Sequence, residues 1–306
     1  MLTIFSTPKP FEGHIGVIQR NAIESWKRLH PGVDVILFGD DAGAAEAATA
    51  LDVRHVPSVR RNEHGTKFLS SIFDQAQELS RHDALCYVNC DIVLMSDFIG
   101  SLSSVVNRSP KFLMVGQRWD TDVREPIEFD NPNWQDHLRQ KASAENHQRP
   151  PQWIDYFAFS RGLYYKNTPP FVIGRPGWDN WLLWKARASG AAVVDSSSSV
   201  LAVHQNHDYS YHPDGEAGVW QGEEAQKNYA LLENGRCFRT IENATYRLTP
   251  DGFKTNYRHW IVQANRKLHK IASQLWFAVL YVTRPLRHRI GLRRATGEPT
   301  VAKSLK

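Results

Sequence analysis

The stretch LCYVNCDIVL, Leu85–Leu94, decides how this chain is read. Its apolar density is that of a buried central strand, yet Asn89 and Asp91 lie two positions apart, and strand alternation points both to one face. A buried carboxylate without a partner costs several kcal/mol, on the order of an unpaired polar group transferred out of water. A strand that carries one is therefore expected to end at a site where something else completes its coordination.

Working outward, strands and helices alternate. LTIFST reads as a first strand, and Ile15, Ile18, Ala22, Trp26 and Leu29 follow at helical spacing up to His30-Pro31-Gly32. VDVILFGDD is a second buried strand closing on acids, followed by the helix AGAAEAATAL, a short strand VRHVPSV and the helix FLSSIFDQAQELS. After LCYVNCDIVL come the strand KFLMVGQRW, a polar insertion over 120–152 with one helix near Trp134–Ala144, the strand DYFAFSR, the helix PGWDNWLLWKARASG, and AAVVDSSSSVLAVHQNHDYSYH as strand, Ser-rich turn, strand and His-rich exit. This alternation predicts an α/β fold with a mostly parallel central sheet, whose ligands collect at the carboxyl ends of the strands. No internal repeat and no run long enough to span a membrane is present.

The 306 residues suffice for one large domain with an appendage. From Asp251 to Lys306 there are 12 Lys+Arg against 2 Asp+Glu, while the first 250 residues hold 25 against 30. The expected division is therefore a domain over 1–250 and a basic tail over 251–306. Within the tail, Ile261, Ala264, Leu268, Ile271, Leu275, Ala278 and Val282 follow helical spacing, and TRPLRHRIGLRR comes after them. That pattern suits an interfacial helix on an anionic membrane surface; the alternative is a helix packed on the domain with a basic end. No nucleic-acid motif accompanies the charge, so nucleic acid is not an expected partner. Three cysteines, with Cys86 and Cys90 too far apart along one strand to bridge, fit a reducing cytoplasm, and the opening MLTIFSTPKPF lacks the pattern of a signal peptide. On that placement the sequon at Asn243 carries no glycan.

Three groups of residues carry chemistry. Asn89 and Asp91 offer oxygen ligands suited to Mg²⁺ or Mn²⁺, although an acid after a strand also serves as a turn cap. His204, His207, Asp208 and His212 crowd a strand exit, where imidazoles can ligate Mn²⁺ or hold phosphate, or simply form a polar loop. In Gly177-Trp178-Asp179, the acid in the first helical turn is either a cap or a general base, and Trp178 is either core or a flat platform for a sugar face.

Together these residues, over roughly Leu2–His212, resemble the GT-A class of nucleotide-sugar glycosyltransferases. The resemblance implies a single Rossmann-like domain, a UDP- or GDP-sugar donor, a glycan or lipid-linked glycan acceptor, and a divalent metal, Mn²⁺ or Mg²⁺, on the donor diphosphate. It assigns Thr7, Pro8, Asp40, Lys67, Asn89 and Asp91 to the donor, and Asp91, Asn89, His204 and His207 to the metal. Asp179 becomes the catalytic base of an inverting transfer, with Trp178 and Asp155 on the acceptor side beside the 120–152 insertion. Asn89 departs from the family's Asp-X-Asp pattern, keeping an oxygen and losing a charge. Arg60, with Lys67, is a further phosphate contact by position. The alternatives are a nucleotidyltransferase, for which STPKPFEGHIG is a poor phosphate loop, and a noncatalytic sugar-nucleotide or glycan-binding subunit of a membrane assembly.

Overall fold

The computed structural model describes residues 1–209 and 214–257. His212 and the stretch over 259–282 expected to be helical, with the basic end after it, lie outside the described residues. Met1–Asn256 form one compact unit. Among the described residues, no helix is long and apolar enough to cross a membrane.

In chain order the elements are β1 (Leu2–Ser6), α1 (Gly13–Lys27), β2 (Val33–Phe38), α2 (Ala44–Ala50), β3 (Arg54–Val56), α3 (Leu69–Leu79), β4 (Ala84–Val88), β5 (Ile92–Val93), α4 (Asp97–Arg108), β6 (Phe112–Val115), β7 (Arg118–Thr121), α5 (Trp134–Glu145), β8 (Tyr156–Ser160), α6 (Trp178–Ala188), β9 (Ala192–Asp195), β10 (Ala202–Gln205), α7 (Gly215–Gln221), α8 (Glu223–Ala230), β11 (Tyr246–Thr249) and β12 (Gly252–Thr255). Nine strands form one sheet in the order β12-β11-β9-β6-β8-β4-β1-β2-β3, and β5-β10-β7 form a second, smaller sheet. The large sheet is parallel except where β8 runs antiparallel between β4 and β6 and where β12 returns along β11. The expected α/β fold with a mostly parallel central sheet is the one observed.

Alternation along the strands divides the core between the two faces of the sheet. Phe5, Leu85 and Tyr87 pack on one side with Leu69, Ile72 and Phe73 of α3 and Leu182 and Leu183 of α6. Ile4, Cys86 and Val88 pack on the other with Ala22, Ile23 and Trp26 of α1 and Phe98 and Leu102 of α4. A sheet covered by helices on both faces needs strands without a polar side, which is why these read as continuous apolar runs.

Two expected strands are in fact broken. The run Leu85–Leu94 stops at Val88, the backbone turns with Ile92 N–H donating to the Asn89 carbonyl at 3.1 Å, and Ile92–Val93 continues in the second sheet. KFLMVGQRW likewise divides at Gly116 into β6 of the large sheet and β7 of the small one. Both breaks fall at the carboxyl edge of the large sheet, so the small sheet is built from chain that has just left it. The polar insertion contributes α5, whose Leu138 and Ala142 pack on Val93 and Val203 of the small sheet.

Candidate active site

The carboxyl ends of the parallel strands open into a cleft of about 1580 Å³. Thr7, Pro8 and Lys9 enter it after β1, Asp41 after β2, Asn89 and Asp91 after β4, and Asp179 from the first turn of α6. Because β8 is antiparallel, its beginning lies beside the end of β4, with Val88 opposite Tyr156, and this places Asp155 next to Asn89. In the small sheet His204 stands opposite Ile92 on one side and Asp120 on the other.

The break after Val88 separates the two polar residues that strand alternation would have aligned. The Asn89 side-chain amide donates to Asp155 Oδ1, and its backbone N–H donates to the Asp155 carbonyl at 2.9 Å. Asp91 turns toward the histidines: its Oδ2 lies 3.2 Å from His207 Nε2 and 4.0 Å from His204 Nε2. Asp91, His204 and His207 each offer a ligand atom within 4.8 Å of the others, a spacing that one cation can bridge. Burial alone would raise the Asp91 pKa, but the His207 hydrogen bond and the neighbouring His204 and Lys9 outweigh it and hold the carboxyl well below its ordinary range. Its Oδ1 is buried with no hydrogen-bond partner among the described residues. A buried carboxylate oxygen left in that state, beside two imidazoles, is the donor set and the vacancy in hydrogen bonding that a divalent cation such as Mn²⁺ would satisfy.

Behind this cluster runs a chain of ions, buried at Arg118, Asp120 and Asp155 and reaching the surface at Arg149. Asp120 Oδ1 lies 3.4 Å from His204 Nδ1, and Arg118 Nε donates to that same oxygen at 2.9 Å. Arg118 Nη1 donates to Asp155 Oδ2 at 2.8 Å, and Arg149 Nε donates to Asp120 Oδ2 at 2.6 Å. Burial would raise the Asp120 carboxyl, but His204, Arg118 and Arg149 prevail and hold it at about 2. The 3.4 Å between Asp120 and His204 is an ion-pair distance and not a hydrogen bond, and His204 Nδ1 has no hydrogen-bond partner among the described residues, so Asp120 acts on the ring through its charge and proximity. Asp155, expected on the acceptor side, is therefore committed to Asn89 and Arg118.

Asp179 is partly buried on the cleft wall, with its Oδ1 accepting from the Gly177 N–H at 3.2 Å. The helix-capping role is thus real, yet burial pushes this carboxyl up to about 7, with the nearby Asp155 charge adding to the rise. A carboxylate near 7 holds and releases a proton in the neutral range, the property a general base requires. Trp178 beside it lines the cleft and is at the same time packed in the core, edge-on to Tyr87 with ring centroids 5.4 Å apart.

Lys67 is buried, and its Nζ donates to Thr7 Oγ1 at 2.7 Å and to the Pro8 carbonyl at 3.1 Å while pairing with Asp41. It ties the loops after β1 and β2 together. Gly39 permits this: at φ +109° its backbone favours glycine, and a Cβ there would lie 2.6 Å from Lys67 Cε. Asp40, expected at the nucleoside, is exposed and paired with Arg61, and the residue that lines the cleft is Asp41. Arg60 does not line the cleft either; Arg61 does. Sequence reasoning passed over Lys9, Asp41, Arg118 and Asp120. Lys9 and Asp41 are one residue beyond positions that were singled out, whereas Arg118 and Asp120 carry no sequence signal and depend on the pairing of β7 with β10.

No family model matches the chain, and no curated protein matches it. Among solved structures, glucosyl-3-phosphoglycerate synthase from Mycobacterium tuberculosis, in complex with Mn²⁺, uridine diphosphate and phosphoglyceric acid, is 18% identical, with 78% of each chain covered and a TM-score of 0.44. TarS 1–349 from S. aureus, in complex with UDP-GlcNAc, is 8% identical, covering 67% of this chain and 58% of that one with a TM-score of 0.45.

Proposed function

We propose that this chain is a nucleotide-sugar-dependent glycosyltransferase of the GT-A type, moving a sugar from a UDP- or GDP-sugar to a glycan or lipid-linked glycan acceptor with inversion. The observation that carries the reading is the meeting, in one cleft at the carboxyl ends of the sheet, of the Asp91–His204–His207 cluster and a carboxylate, Asp179, with a pKa of about 7. Thr7 and Pro8, held by Lys67, with Asp41 form the nucleoside end of the proposed donor site. Asp91, His204 and His207 would hold a divalent ion, and such an ion supplies positive charge to a departing diphosphate.

The chemistry asked of the protein is then a single displacement. Asp179 accepts the proton of an acceptor hydroxyl, and that oxygen forms its bond to the anomeric carbon. The bond from that carbon to the diphosphate oxygen breaks, and its electron pair leaves with the diphosphate. Asp120 and Arg118 keep the His204 ring in place, and Asp155 fixes Asn89 and the turn that presents Asp91. The insertion over 120–152 would shape the acceptor side. The basic tail from 251 onward would place the domain, 1–250, on an anionic membrane surface of the cytoplasm, a reading that rests on the charge and spacing of the sequence alone.

The test is thermal stabilisation by a panel of nucleoside diphosphates with and without Mn²⁺, repeated on Asp91→Ala. A ligand at a hundred times its dissociation constant adds about 2.7 kcal/mol. One diphosphate should raise the melting temperature in the presence of Mn²⁺ and lose most of that effect in the variant. If no diphosphate does so, the donor site is wrong and the noncatalytic reading takes its place.

A further inference from the structure

We infer that Lys9 is the resident cation of the Asp91–His204–His207 cluster and a built-in competitor of any divalent ion that enters it. Its Nζ lies 3.2 Å from His207 Nε2 and 4.0 Å from Asp91 Oδ2. Those are the same two atoms, 3.2 Å from each other, that the cluster presents to a metal.

The lysine is held there by its backbone. Lys9 N–H donates to Gln19 Oε1 at 2.7 Å, and Gln19 Nε2 donates back to the Lys9 carbonyl at 2.9 Å. Gln19 belongs to α1 and is only 2% exposed, so a buried amide on a rigid helix sets where this lysine leaves the main chain. An exposed lysine on a loop would have no such clamp.

Charge explains why a lysine belongs at this point. The cluster contains a single carboxylate, because the side chain that might have supplied a second is Asn89, and its amide is committed to Asp155. Asp91 is half-buried, with its Oδ1 fully so, and would be costly without a countercharge, which Lys9 supplies before any metal arrives. With the ammonium in place, the Asp91 charge is already countered. A divalent ion must then push aside a like charge to reach Asp91.

The inference rests on the proposed cation site but not on the nucleotide, and the experiment keeps the two apart. Mn²⁺ binding to the full chain is measured by electron paramagnetic resonance and by calorimetry, with no nucleotide present and at one fixed pH, for the parent, Lys9→Met, Lys9→Gln, Lys9→Arg and Asp91→Ala. Removing a like charge within about 4 Å of the ion site should tighten Mn²⁺ by at least about tenfold in Lys9→Met. Lys9→Arg, which keeps the charge, should stay within about threefold of the parent, a difference small beside the tenfold that 1.4 kcal/mol represents. Lys9→Gln repeats the charge removal with a polar side chain should Lys9→Met fail to fold. Equal or weaker Mn²⁺ affinity in the uncharged variants, undiminished binding in Asp91→Ala, or no binding in any variant overturns the inference. Tighter Mn²⁺ in the uncharged variants together with a failure of every nucleoside diphosphate to bind would leave the inference standing and remove the donor reading.

Discussion

Replacing Asp179 by Asn should make the protein more stable and at the same time inactive. The native carboxyl titrates at about 7 against an ordinary 3.8, because burial on the cleft wall disfavours its charged form. A folded-state pKa above the unfolded one means that the native state binds more protons across that interval, so stability is lost as pH rises from the lower value through the upper. At alkaline pH the whole shift acts against the fold, up to about 4 kcal/mol. Between pH 5 and pH 8 the loss comes to about 2–3 kcal/mol. Asparagine keeps an oxygen for the Gly177 N–H and carries no charge at any pH, so the variant escapes that loss. Urea unfolding followed by tryptophan fluorescence, run on both proteins at pH 5 and pH 8, should show the stability advantage of Asp179→Asn growing by about 2–3 kcal/mol with pH. An advantage that is the same at both pH values would mean that Asp179 behaves as an ordinary exposed carboxyl, contrary to this prediction. On the proposed reading, in which Asp179 is the general base, the variant's sugar-transfer activity should also fall by several orders of magnitude.

Two further substitutions probe the scaffold. Asp155→Ala leaves the buried Arg118 with Asp120 as its remaining ion-pair partner and frees the Asn89 amide, and should cost about 3–5 kcal/mol in denaturant unfolding; a loss under about 1 kcal/mol would show that Asp155 behaves as an exposed pair does. Gly116→Ala places a Cβ 2.0 Å from the hydroxyl of the fully buried Tyr156, which is hydrogen-bonded to Ser196 at 2.9 Å. It should destabilise by about 1–3 kcal/mol, and adding Tyr156→Phe should return part of that by relieving the clash; no recovery in the double variant would place the strain elsewhere.

The alternation of apolar runs with helical periods was enough to read a parallel α/β sheet, and the acids and histidines following those runs were enough to point at its carboxyl edge. Such patterns are local: period 2 or 3.6 and the apolar content of a few residues report which side chains must be buried, whatever the rest of the chain does. Thus Asp91, His204 and Asp179 could be singled out from their places at element ends. Their partners could not. The turn at Asn89 sends one polar side chain to Asp155 and the other to the histidines, where strand alternation alone would have put them side by side. Arg118 and Asp120 read as polar residues at the mouth of an insertion, and they acquire their roles because β7 pairs with β10 across more than eighty positions of chain, bringing Asp120 beside His204. Asp40 and Asp41 are equivalent in sequence, and only the tie from Lys67 selects the second. Hydrophobic burial is written residue by residue, so the chain itself marks which residues are polar where apolar ones were due. Which of those residues meet is fixed only on folding, because charge pairing and cation coordination depend on distances of a few ångströms between segments whose separation along the chain carries no record of them.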